Sequence, residues 1–200
     1  MIDRVAIEPL PIAFSWQAEP VDFRASRQSL WAEAGSETDL FVDPGTRVES
    51  LNAPRLVGQI AGDFMLAARV SVDFRSTFDA GVLLLWAHEH AWAKLCLELS
   101  PQGNPTVVSV VTRGVSDDCN SFVTERPEMW LRVARLGTAF AFHASTNGTS
   151  WELVRYVALD QDAEPFVGFL VQSPRGAGCA ARFDEISVVA RRLADIRSGD

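Results

Sequence analysis

Residues Asp79 to Arg113 read DAGVLLLWAHEHAWAKLCLELSPQGNPTVVSVVTR. Three runs rich in Val, Leu, Trp and Thr are separated by a short His88-Glu89-His90 turn and by a second turn built on Pro101 and Gly103. That spacing predicts an antiparallel meander of three strands. The middle run alternates strictly, and successive side chains of a strand point to opposite faces. Trp92, Lys94, Cys96 and Glu98 therefore share one face, and Ala93, Leu95, Leu97 and Leu99 share the other. The second set is a core face. The first either meets a ligand or faces water.

The same β pattern extends outward in both directions. Ile12–Trp16, Gln28–Glu33, Arg55–Ile60 and Phe64–Asp73 read as strands before the meander. Trp130–Arg135, Ala139–Ser145, Trp151–Leu159, Phe166–Gln172 and Ala180–Val189 follow it. In Phe64–Asp73, Phe64, Leu66, Ala68, Val70 and Val72 fall on one face, a half-buried pattern. Asn147-Gly148 marks a hairpin. Helical periodicity is nearly absent, and about a dozen short strands with regular turn signals mean a sandwich or closed barrel. Gly35–Pro54 is rich in turn formers and long for a structureless loop, so it is a candidate lid. Gly114–Pro127 reads as a polar connection, and Ala190–Asp200 as a tail that frays or forms a short helix. Residues 1–190 are expected to form a single β-sandwich domain, with 191–200 as a C-terminal tail.

The totals exclude several classes. A net charge of −8, with no Lys/Arg run, opposes binding to phosphate backbones and to anionic membrane surfaces. Cys96, Cys119 and Cys179 form no paired motif, so neither a disulfide framework nor a zinc site is expected. Three reduced thiols, the absence of a signal peptide, and the absence of an 18-residue apolar run make the cytoplasm the expected compartment. Neither a dinucleotide fingerprint nor a phosphate loop is present, and no cofactor is expected.

A series of short motifs carries a more specific likeness: Thr38-Asp39, Gly62-Asp63-Phe64, Phe78-Asp79-Ala-Gly81, Trp92-x-Lys94 with Glu98, and Thr112-x-Gly114-x-Ser116-Asp117. Trp130-Leu-Arg132, Ser145-x-Asn147-Gly148-x-x-Trp151 and Gly168 ahead of Ser173-Pro174 complete it. Their order and spacing resemble the uncharacterised family that includes the yeast "regulation of enolase" protein, from about Phe14 to Val189. The resemblance implies an all-β, concanavalin A-like two-sheet antiparallel β-sandwich (a jelly roll), with ligands on the concave sheet. It supplies no catalytic residues. The chain departs from the family at Leu40-Phe41, where an aromatic pair is usual, and at Asp118, where a Trp is usual.

If the polar strand faces coincide, Trp86, Trp92, Lys94, Glu98, Arg113, Trp130 and Arg132 surround one groove. Indole faces under carboxylate and guanidinium groups suit a carbohydrate or another small polar metabolite. The competing reading is a solvated face of salt bridges. Lys94 and Glu98 lie roughly 13 Å apart along their strand and fit cross-strand partners such as Arg113 or Arg132 better than each other. The Glu-x-Asp-x-x-Glu string of sandwich glucanases is absent, and Glu98 has no second carboxylate on its strand. A lyase using Lys94 or His143 as base, with Arg113 as charge neutraliser, stays open. So does a protein-interaction role, as a regulator of a metabolic enzyme, and so does a homodimer formed through an edge strand. His88-Glu89-His90 has the alternation of a two-histidine clip without a nameable third ligand, and no metal is assigned. Asp160–Glu164 reads as a solvated acidic turn rather than a calcium loop.

Overall fold

The computed structural model describes residues 4–159 and 164–200. Its strands are β1 (Arg4–Ala6), β2 (Ala13–Ala18), β3 (Asp22–Ser26), β4 (Ser29–Gly35), β5 (Leu40–Val42), β6 (Glu49–Leu51), β7 (Arg55–Gly58) and β8 (Phe64–Val72). They continue with β9 (Ala80–His88), β10 (Ala91–Leu99), β11 (Pro105–Arg113), β12 (Val115–Val123), β13 (Glu128–Leu136), β14 (Ala139–Ser145), β15 (Glu152–Ala158), β16 (Phe166–Gln172) and β17 (Gly178–Val189). One sheet has the order β1-β2-β7-β16-β9-β10-β11-β12, and the other β15-β14-β13-β8-β17-β4-β3; β5 and β6 form a separate hairpin. All pairings are antiparallel. The chain is an all-β sandwich.

The alternation in the meander explains how the layers stick. Ala93, Leu95 and Leu97 of β10 are buried against Leu66, Ala68 and Val70 of β8 and Leu131 and Val133 of β13. Each fully buried Leu or Val in this layer contributes about 2 kcal/mol relative to an exposed one. Among the described residues there is no helix long and apolar enough to cross a membrane.

Two sequence expectations need correction, and one strand went unread. Residues 115–123 form β12 rather than a polar connection, pairing with β11 from Arg113↔Val115 to Thr106↔Val123. It is an edge strand, held by backbone hydrogen bonds on one side, so its side chains need no apolar alternation. β3 escapes the pattern for the same reason, since most of it is exposed at the edge of the other sheet. The tail neither frays nor coils. Leu193 and Ile196 pack on Met65, Leu136 and Leu153, covering the outer face of the seven-stranded sheet.

One turn differs in detail. The link from β14 to β15 is longer than a two-residue hairpin: Asn147 Oδ1 accepts the N–H of Thr149 at 2.9 Å and of Ser150 at 2.8 Å. In the acidic turn, Asp160 and Asp162 lie outside the described residues, and Glu164 pairs with Arg135.

Candidate functional site

Strand register lays out the outer face of the eight-stranded sheet as a grid. One row runs Phe166, Trp86, Trp92, Thr112, Ser116; another runs Gly168, Leu84, Lys94, Val110, Asp118; a third runs Gln172, Ala80, Glu98, Thr106. Trp86, Trp92, Lys94 and Glu98 thus lie on one face, as their spacing requires. The face is covered rather than solvated. Trp92 is 0% and Lys94 1% exposed.

The cover is the β5–β6 hairpin, which occupies the segment read as a candidate lid. Its Leu40, Phe41 and Leu51 pack on Val82, Trp86, Trp92 and Val110. Polar anchors fix it. Thr38 and Ser173 exchange backbone hydrogen bonds at 3.2 and 3.1 Å, and the Val42 N–H donates to Ser116 Oγ at 2.9 Å. Ser173 Oγ donates to the buried Asp79 carboxylate at 2.6 Å, and Asp79 also accepts the N–H groups of Arg75 and Ser76. Asp39, on the cover, lies 3.6 Å from Lys94 Nζ on the sheet. Thr38-Asp39, Phe78-Asp79, Lys94, Ser116 and Ser173-Pro174, scattered in sequence, converge here.

Where the cover ends, it leaves a cavity of about 290 Å³ lined by Asp39, Phe41, Asp43, Phe78, Lys94, Glu98, Val110, Asp118, Gln172, Pro174 and Arg175. Lys94 Nζ donates to Gln172 Oε1 at 3.0 Å and stands 6.0 Å from the Phe41 ring centre and 5.6 Å from that of Trp92. Phe78 holds a left-handed backbone, φ 69°. Such strain in a bulky residue costs on the order of 1–3 kcal/mol and concentrates at functional sites. It is held by the Phe78 N–H donating to Leu99 O and by Gln172 Nε2 donating to Phe78 O.

Burial raises the Glu98 pKa to about 8; Lys94 opposes the shift, and Asp118 and Asp39 add to it. Asp118 is raised as well, chiefly by burial, with Lys94 opposing. At neutral pH Glu98 is mostly a neutral acid, able to donate a hydrogen bond as well as accept one. Its folded pKa lies above its unfolded one, so the folded state binds the extra proton between about pH 4.5 and 8. Stability contributed by this group is full below that window and falls as pH rises through it. Glu98→Gln is expected to flatten the fall in melting temperature between pH 5 and 8. An unchanged pH profile would show that Glu98 titrates normally.

The remaining residues expected in the groove do not reach it. Arg113 lies opposite Ala91 rather than in the Lys94 row, and its Nη2 donates to Ala158 O on β15 at 2.7 Å. Trp130 and Arg132 belong to β13 in the other sheet. Arg132 stacks 4.2 Å from the Trp151 ring centre and donates to Gly199 O at 2.7 Å, holding the tail. Trp130 lies where a side chain on Gly148 would stand, 2.8 Å from an added Cβ. The partners expected for Lys94 and Glu98 are thus replaced by Asp39, Asp118 and Gln172. His143 also lies beneath the tail, its Nε2 2.8 Å from Ile196 O, so neither it nor Arg113 can serve a lyase step at Lys94. Trp86 sits under the cover with the Arg55 guanidinium 4.3 Å above its ring, and neither it nor Trp92 lines the cavity. Among the described residues no group of three or more His, Cys, Asp or Glu could hold a metal ion.

Asp39, Asp118 and Gln172 join the site unannounced by the meander. Alternation along 115–123, read as a strand, would have placed Ser116 and Asp118 on the Lys94 face; nothing local in the sequence points Asp39 at Lys94.

Residues 16–190 match DUF1349, a family described as proteins of unknown function. The chain belongs to the DUF1349 family. No curated protein matches it. Among solved structures, this DUF1349 chain is similar to a functionally unknown protein from Saccharomyces cerevisiae, with a TM-score of 0.82, 22% identity, and coverage of 89% of this chain and 96% of that one. It is also similar to the GH43 protein BlXynB from Bacillus licheniformis, with a TM-score of 0.68, 14% identity and coverage of 89% and 37%. A xylan β-1,4-xylosidase from Bacillus halodurans has a TM-score of 0.63 at 14% identity, with coverage of 79% and 32%. The chain spans about a third of those two GH43-type and xylosidase chains, and at these identities the likeness is one of fold.

Proposed function

We propose that this DUF1349 protein is a non-catalytic binding module whose covered cavity holds a carbohydrate or another small polar metabolite. The observation that carries this reading is the convergence of buried Lys94 and half-buried Glu98 on one cavity beneath the β5–β6 cover. A fold gains nothing in stability by confining a lysine and several carboxylates around empty space, because desolvated charges are costly. The cavity lies at the small end of the range for ligand sites. Glu98, Asp118, Asp39, Gln172 and Arg175 offer donors and acceptors, and the Phe41 and Phe78 rings offer apolar faces for C–H groups. A sugar ring presents both kinds of surface.

The test is melting temperature and tryptophan fluorescence against monosaccharides, xylose- and glucose-based oligosaccharides, sugar acids and phosphorylated metabolites. The xylose series is included because one neighbour of the same fold is described as a xylosidase. A ligand at 100 times its dissociation constant is expected to stabilise the fold by about 2.7 kcal/mol, or about 5–10 °C for a chain of this size. Glu98→Gln should weaken that response at least tenfold. A panel that leaves both readouts flat overturns the reading. Release of reducing sugar that disappears in Glu98→Gln would replace binding by hydrolysis.

A further inference from the structure

We infer that the binding face continues past the charged cavity into a second, uncharged subsite on β11 and β12, so that the ligand is an oligosaccharide of at least two sugar residues. This rests on the binding role proposed above and adds the class and minimum length of the ligand. A separate cavity of about 220 Å³ is lined in part by Gln102, Asn104, Thr106, Asn120 and Ser121. None of the residues lining it is charged, in contrast to the cavity around Lys94.

Register makes the two cavities neighbours. Thr106 is the direct cross-strand partner of Glu98, and Asn120 follows Asp118 by two residues on the same face of β12. Directly opposed residues in an antiparallel pair stand about 5 Å apart, so a ligand filling one cavity has its next unit at the mouth of the other.

A local irregularity enriches this second cavity. Val107 pairs with Phe122 while Val108 pairs with Asn120, leaving Ser121 as the extra residue of a β-bulge. Bulges re-aim side chains. Here Asn120, Ser121, Phe122 and Val123, consecutive in sequence at the edge of the sheet, all line the cavity.

The chemistry suits hydroxyl groups. Asn and Gln amides carry a donor and an acceptor side by side, as adjacent sugar hydroxyls do. Thr106 Oγ1 already donates to Asn104 O at 3.0 Å, which leaves its lone pairs to accept. An anionic ligand finds no cation in this subsite, while Phe122 and Val123 add apolar surface that suits the C–H face of a sugar ring. β12 is also the edge of the sheet, so the face is open there to a chain longer than the cavities.

The experiment measures dissociation constants for the xylose and β-1,4-glucose series from one to four residues, by titration calorimetry. Affinity should rise at least tenfold between one residue and two or three. In Gln102→Ala/Asn120→Ala that gain should fall to less than threefold, with monosaccharide affinity unchanged. Both side chains are exposed, so the variant should fold, as circular dichroism would verify. Affinity independent of length in the parent protein overturns the subsite and leaves the monosaccharide site standing, as does a gain that survives the double substitution. No binding by any sugar in either series overturns both.

Discussion

Replacing Gly168 with alanine is expected to destabilise the protein by at least about 3 kcal/mol, lowering its melting temperature by about 10 °C. Gly168 lies in the middle of β16, between β7 and β9, paired with Val57 on one side and Leu84 on the other. An added Cβ would stand 2.0 Å from Leu56 O and 2.9 Å from Val57 Cα. These are backbone atoms of a paired strand, so no rotamer change relieves the clash. Either β7 separates from β16 or the sheet bends. Both routes loosen the floor beneath the β5–β6 hairpin, because Val57 packs in the same cluster as Leu40 and Trp86. Thermal unfolding followed by circular dichroism checks this. A loss below 1 kcal/mol would mean that β7 and β16 lie farther apart than described.

Lys94→Ala is expected to cost about 3–5 kcal/mol, read by chemical denaturation, because it breaks a buried ion pair from one side. The lysine side chain is 2% and the Asp39 side chain 21% exposed, so solvent screens this pair far less than a surface one. Removal leaves Asp39, Asp118 and Glu98 around the cavity without the cation that opposes the upward shift of Glu98 and Asp118. It also empties the space of the lysine stem beside Trp92 and Phe41. Lys94→Met separates these effects. It restores the volume and should recover part of the loss while leaving the carboxylates unopposed. Equal losses in both variants would place the whole effect on the charge. A loss under 1 kcal/mol in Lys94→Ala would mean that the cover does not depend on the Asp39–Lys94 contact.

Much of the sandwich was legible because interior strands must satisfy two constraints at once. β8 and β10 bury one apolar face in register, and that alternation is visible one residue at a time, whereas β16 reads as a continuous apolar run. Edge strands obey only the backbone constraint, so β12 looked like a connection and β3 carried no strand signal. The face of Lys94 and Glu98 was legible for the same reason as the core. What covers that face was only half legible. Turn formers marked 35–54 as a long excursion, but the pairing of Asp39 with Lys94 is set by where that excursion lands. Arg113 shows the limit most clearly. Parity on β11 is readable, yet only the pairing of Arg113 with Ala91 reveals which face that parity occupies. Trp130 and Arg132 failed for a different reason, since alternation within a strand carries no information about sheet membership. The weight that the tail places on Arg132 was hidden because two apolar residues, Leu193 and Ile196, are too few to make a pattern.

The sheet orders also bear on how the chain reaches this state. β17, the last strand, lies between β8 and β4, and β16 lies between β7 and β9. Neither sheet can close until nearly the whole chain is available, and contacts between residues so distant in sequence slow folding toward the millisecond-to-second range. A chain emerging from the ribosome would carry β4, β7, β8 and β9 with open edges until β16 and β17 arrive. Those edges are apolar and competent to pair with other chains. The interval before the final strands insert is therefore when this sandwich is most exposed to aggregation and most dependent on chaperones.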